Sequence, residues 1–205
     1  MFLPKAVAMK KVKVLAIAFS IFLISCASST RYAKFRSEPD GFRDIKWGTE
    51  ISALGDMEKV EQDKSLNSDL AWYIRKGDTL AMGKAKLENI LYSFWMGNFE
   101  SGWIDFKGDE NFEALKNELF ERFGKAHESE GSMEKMGKGA RRERSPTGRA
   151  GAFYAWWGKN TEIFLSYSQD RHKGTLTMHS RKVREERREY EKEKEKENRI
   201  KERGF

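Results

Sequence analysis

The chain has 205 residues, 35% of them charged, a single cysteine and a formal net charge of +7. One cysteine excludes an intramolecular disulfide. The excess charge sits outside the body: four lysines precede Cys26, residues 134–149 carry +4 and residues 181–203 carry +3, so the remainder is −4 and nucleic acid is not the expected partner despite a pI near 9.3.

Lys5, Lys10, Lys11 and Lys13 precede an apolar run at 14–24, and no acidic residue occurs before Glu38. This basic-then-apolar layout predicts a secretory signal peptide over 1–25. The run is about half of the roughly 20 residues that a permanent membrane-spanning helix needs. It ends on Leu23-Ile24-Ser25-Cys26, which resembles the lipobox of bacterial lipoproteins. The resemblance implies that Cys26 is the lipid-attachment residue: its thiol takes a diacylglyceryl group, cleavage follows before it, and the new amino terminus becomes available for acylation. Each buried methylene contributes about 0.8 kcal/mol, so two or three acyl chains hold a protein on a membrane far more firmly than one. Read from the residues alone, a free thiol behind an ordinary cleaved signal stays open. Ala27 stands where the familiar inner-membrane retention signal has Asp, so the resemblance favours the outer membrane over the inner, facing the periplasm.

Residues 26–41 read as the lipidated cysteine and a flexible tether closed by Pro39-Asp40-Gly41. The alternation in Phe42-Arg43-Asp44-Ile45-Lys46-Trp47 predicts a strand, and Thr49 is placed to cap a short helix reaching about residue 59. Strands are expected at 70–75 and 79–82, then at 87–95 and 99–106 as a hairpin about Met96-Gly97-Asn98. The rings of Tyr92, Phe94, Trp95, Phe99, Trp103 and Phe106 fall in this pair and are expected to fill one face. Asp109 or Asn111 begins a helix with Phe112, Leu115, Leu119 and Phe123 at helical spacing, and Gly124 closes it. Residues 127–151 lack apolar periodicity and read as a mobile basic loop. Three further strands are expected at 153–157, 162–167 and 175–180. Residues 181–205 form a charged tail, nearly free of apolar side chains, expected as a solvated helix. The reading for 42–180 is therefore one α+β domain, an antiparallel sheet with two helices, whose element order suggests a duplicated helix-plus-strands unit.

Chemistry-bearing residues are sparse. His172 and His179 flank one predicted hairpin, but neither they nor His127 stand at zinc-ligand spacing. No serine lies in a Gly-x-Ser-x-Gly elbow, and Gly137-Lys138-Gly139 lacks the Ser/Thr of a phosphate-binding loop. No catalytic, cofactor-binding or metal residue is nominated. Lys135, Lys138, Arg141, Arg142, Arg144 and Arg149 form the densest positive patch, a candidate contact for lipid headgroups or another polyanion.

Residues 40–49, with Trp47-Gly48, and Phe123-Gly124-Lys125 resemble a family of bacterial lipoproteins of unknown function, in which a strand ending in Trp-Gly opens the domain and Phe-Gly closes a central helix. The layout is also loosely similar to small accessory lipoproteins of outer-membrane assembly, a likeness of fold alone. The expectation drawn from the residues is a non-enzymatic, membrane-anchored protein that binds another envelope protein or supports envelope integrity, with the oligomeric state left open. The alternative is a module binding a small ligand or envelope polymer on an aromatic sheet face.

Overall fold

A computed structural model of the protein describes residues 35–60, 69–130, 151–202 and 204. Cys26, most of the tether and the basic residues at 135–149 lie outside the described residues. The elements are β1 (Gly41–Phe42), β2 (Ile45–Lys46), a 3₁₀ turn (Ile51–Ala53), β3 (Met57–Lys59), β4 (Leu70–Arg75), β5 (Ala81–Met82), β6 (Ala85–Lys86), β7 (Asn89–Trp95), β8 (Asn98–Lys107), α1 (Asp109–Phe123), β9 (His127–Glu130), β10 (Gly151–Trp157), β11 (Thr161–Ser168), β12 (Lys173–Ser180) and α2 (Arg181–Glu202).

Eight of the strands form one antiparallel sheet in the order β3-β4-β7-β8-β12-β11-β10-β9. It is two four-stranded meanders joined in the middle by their last strands, with Ile104 opposite Leu176. The α+β class, with an antiparallel sheet and a charged C-terminal helix, is as expected, and α1 and that terminal helix are the two α-helices of the described residues. The expected unit, a helix followed by strands, is not the one that corresponds, since its first helix is only a 3₁₀ turn; the two halves match instead as a meander followed by a helix. Tyr92 lies opposite Gly102 in the first meander, and Tyr167 lies opposite Gly174 in the second. A Cβ on Gly102 would stand 2.2 Å from the Phe42 ring, and one on Gly174 2.2 Å from the Phe106 ring, so each glycine makes room for a phenylalanine. Those rings then pack on the two tyrosines, Phe42 on Tyr92 at 5.5 Å and Phe106 on Tyr167 at 6.0 Å. Each tyrosine hydroxyl donates to an aspartate, Asp78 and Asp109 respectively. A helix begins seven residues after each glycine, at Asp109 and Arg181.

The helices break this symmetry. α1 lies on the first sheet face, where Phe112 stacks on Tyr167 at 4.5 Å and Phe120 meets Tyr154 and Trp156 edge-on. Phe112, Leu115, Leu119 and Phe123 are all buried, as their spacing predicts. Phe35, Phe42 and Trp47 pack on the same side through Phe123, Tyr92 and Phe99. α2 crosses the second face.

Several expectations are corrected. The short helix after Thr49 is only the 3₁₀ turn, and β3 follows it as a charged edge strand. The end of the tether is not free: Arg36 N donates to Phe123 O, and Glu38 accepts from Thr161 N at 2.8 Å. Within 127–151, His127–Glu130 is a strand paired with β10, and Gly151 already belongs to β10. Neither Asp109 nor Asn111 caps α1. Its N-cap is Gly108, while Asn111 bridges Lys86 N and Lys107 O. The rings of β7 and β8 fill both faces, because neighbours such as Phe94 and Trp95 alternate, and the register shift at Ser93/Phe94, with Glu100 as the extra residue, puts Phe99 on the side opposite to Trp103. Tyr92, Phe94, Phe99 and Phe106 join the α1 face, whereas Trp95 meets Tyr190 of α2 and Trp103 meets Trp72. Met96 and Gly97 both have positive φ in the β7–β8 turn, a backbone that glycine adopts without strain.

Candidate functional surface

The second sheet face is built in three rows, read across the strands from their register. The first runs Trp72, Ser93, Ser101, His179, Glu162, Trp157. The second runs Leu91, Trp103, Thr177, Phe164, Ala155, and the third Asn89, Asp105, Thr175, Ser166, Phe153.

α2 lies over the first row and attaches mainly through charge. Arg184 reaches Glu162 at 2.9 Å, Arg187 reaches Glu100 at 2.8 Å, and Lys194 reaches Asp69 at 3.1 Å. Tyr190 packs on Trp95 with centroids 5.8 Å apart, and Val183 is the buried apolar residue of the helix. Up to Lys194 the tail is therefore a docked helix, whereas residues 195–202 are exposed, the solvated helix its composition suggests. Its seat stays polar because the bulge turns Glu100 toward the helix. Glu100 is only 2% exposed. Burial raises its carboxyl pKa, partly offset by the Arg187 guanidinium. His179 is held well below the usual imidazole range by burial first, and then by Arg184, Arg187 and Arg188. Among the described residues, Trp95 Nε1, Glu100 Oε2 and His179 Nδ1 are buried polar atoms without a hydrogen-bond partner, and all three lie at this seat.

The first row brings serine, histidine and glutamate into one line, the residue types of an acyl-transfer relay. They do not form one here. Ser101 Oγ shares its hydrogen bond with Ser93 Oγ at 2.5 Å, Glu162 is engaged by Arg184, and His179 Nδ1 reaches neither. The histidines are also apart: His172 is an exposed turn residue beside Asp109, His127 meets Trp157, and His179 is under α2. No group of three or more metal-ligating side chains occurs among the described residues.

Beyond α2, Leu91, Trp103 and Phe164 are half-buried, and Trp103 meets Trp72 edge-on at 6.2 Å. The neighbouring row is polar. Trp103 Nε1 donates to Asp105 at 2.9 Å, and Ser166 and Thr175 share a hydrogen bond at 2.7 Å. An apolar row bordered by hydroxyls and a carboxylate can bury rings of a partner while the polar neighbours fix its orientation.

Sequence reasoning nominated none of these residues as a site. The alternation of Leu91, Trp103 and Phe164 with buried neighbours carries the signal, but the register that aligns them is not readable from spacing. Comparison of the chain with protein-family models, with curated proteins and with solved structures gave no match.

Proposed function

We propose that the chain is a non-enzymatic bacterial lipoprotein, anchored through Cys26 to the periplasmic side of the outer membrane, whose second sheet face binds another envelope protein. The observation that carries the binding role is the half-buried row Leu91, Trp103 and Phe164, lying beyond α2 and bordered by Asp105, Thr175 and Ser166. Aromatic residues flanked by polar ones are the usual composition of a protein contact. The anchor rests on the likeness of Leu23-Ile24-Ser25-Cys26 to a lipobox.

A photo-crosslinking amino acid placed at Thr175, at the edge of the row, should capture a discrete partner in cells, and Trp103→Asp should abolish capture while the protein remains folded. Capture that survives Trp103→Asp would move the contact elsewhere. Cys26→Ala should abolish incorporation of labelled fatty acid. Labelling that persists would overturn the anchor, since the chain has no other cysteine. The hydroxyl pair Ser166 and Thr175 beside Trp103 favours a second occupant for the same face, an envelope polymer rich in hydroxyl groups. Retention of the purified protein on an insoluble envelope-polymer fraction, lost with Trp103→Asp, would select that reading.

A further inference from the structure

We propose that α2 is a displaceable strap, opening from the sheet as a unit while the strands and α1 stay folded, and uncovering Ser93, Trp95, Glu100, Ser101 and His179. Three observations carry the inference. The seat is ionic: past Val183 the helix is held by Arg184–Glu162, Arg187–Glu100 and Lys194–Asp69, with Tyr190 against Trp95 as the one ring contact. Salt weakens the exposed Lys194–Asp69 pair most and the more deeply buried pairs of Arg184 and Arg187 less, whereas the four buried apolar side chains of α1 are not held by charge at all.

The seat is also incompletely satisfied. Trp95 Nε1, Glu100 Oε2 and His179 Nδ1 are buried there without a partner, and opening returns all three to water. Finally, leaving the sheet does not oblige the helix to unwind. Lys182–Glu186, Arg187–Glu191 and Arg199–Glu195 are ion pairs one turn apart within α2, and they persist when it lifts. Opening is thus a local event of the kind that separates a weakly held element from a cooperative core.

Its consequence for binding rests on the proposed use of the second face. Lifting α2 uncovers Trp95 on the same face as Leu91 and Trp103, two rows away across the Ser93–Ser101 row, so the helix competes with a partner for part of that face.

The test uses the full chain without any partner, so it stands or falls separately from the crosslinking above. Carbethoxylation of histidines is followed residue by residue by mass spectrometry, at low salt and in about 1 M sodium chloride. His179 is half-buried with its Nδ1 covered at the α2 seat, whereas the exposed His172 serves as internal reference. The expected result is that His179 reacts about tenfold faster in high salt, relative to His172, while the amides of β8 and β12 keep their protection from hydrogen exchange. Glu162→Gln should raise the low-salt rate by a similar factor, and Asp69→Asn, at the far end of the seat, gives the same comparison if the first variant folds poorly. His179 that is equally unreactive at both salt concentrations would overturn the strap. Reactivity that rises only together with exchange in β8 and β12 would overturn it too, since the sheet would then be opening with the helix.

Discussion

α1 and α2 begin at equivalent points of the two meanders, yet they are attached to the sheet by different physics. α1 buries Phe112, Leu115, Leu119 and Phe123, with Phe112 against the rings of Phe106, Tyr154 and Tyr167 and the neighbouring Phe120 against Trp156. α2 buries Val183 and otherwise relies on arginines and a lysine aimed at acidic side chains. A helix seated on apolar area is part of the core, because its removal exposes that area to water. One seated on charge loses much less on leaving, since both partners recover hydration. Two helices at one position in the topology thus differ in role, one a scaffold and the other a cover.

The sharpest way to break this contrast is to truncate the α1 seat. Leu119 is fully buried, so Leu119→Ala should cost about 2–5 kcal/mol in urea denaturation, a large part of a domain's net stability. A loss below about 1 kcal/mol would show that α1 too is a loosely held element.

Overpacking the same seat should cost somewhat less. Gly174→Ala pushes a methyl group into the Phe106 ring that stacks beneath Phe112, for about 1–3 kcal/mol. Gly102→Ala, which presses on Phe42, should fall in the same range if the two halves are mechanically equivalent.

On the α2 side, Arg187→Ala strands the Glu100 charge. With the helix fixed, losing the partner of a buried ion costs about 3–5 kcal/mol. Because α2 can lift and rehydrate Glu100, the loss measured in urea should stop at about 1–3 kcal/mol. The full value would make α2 an integral part of the core.

The smallest effect is a slope against pH. His179 is depressed in the folded protein, so the stability it contributes is present above its ordinary value of 6.5 and is lost as pH falls toward its folded value. Glu100 is raised and works in the opposite sense: its penalty is felt when it is charged and fades as pH falls toward 4.5. Both groups face Arg187, and Arg184, Arg188 and Glu162 complete the surroundings of the seat. The thermal midpoint of His179→Gln should therefore hold or rise on acidification from about pH 7 to about pH 5, where the parent protein's falls. Parallel curves would place His179 outside the docking equilibrium.

How much of this could be read from residues follows the same division. Much of the apolar periodicity declared itself: the span of β4, the three strands β10 to β12 and the α1 stripe lie within a residue or two of expectation, whereas the alternation at 42–47 is not one strand but the short pair β1 and β2 about Arg43, which has positive φ. Elements held by other means were missed. β3 is Met-Glu-Lys and β9 is His-Glu-Ser-Glu, strands with almost no apolar content that exist because a neighbour offers its hydrogen bonds. The docking of α2 depends on which acidic residue each arginine meets, and alternating Glu and Lys give no hint of that. The candidate face was hidden because rings adjacent in sequence alternate between faces, and because the single extra residue at Glu100 sets Phe99 on the side opposite to Trp103. One signal was available in retrospect, namely Tyr92-Ser93 and Tyr167-Ser168, each followed by a strand carrying Gly102 or Gly174.

The joining of the two meanders by β8 and β12 bears on how the chain is assembled. β8 is complete at Lys107, but its outer edge waits for Lys173–Ser180, after the whole second meander has been made. Until then a ten-residue strand offers unpaired backbone groups to its surroundings. Closure at the middle of the sheet is a late, long-range step, which slows folding. At high concentration, the β12 of a second copy competes for that edge, and the product is a swapped dimer in which each sheet contains one meander from each chain.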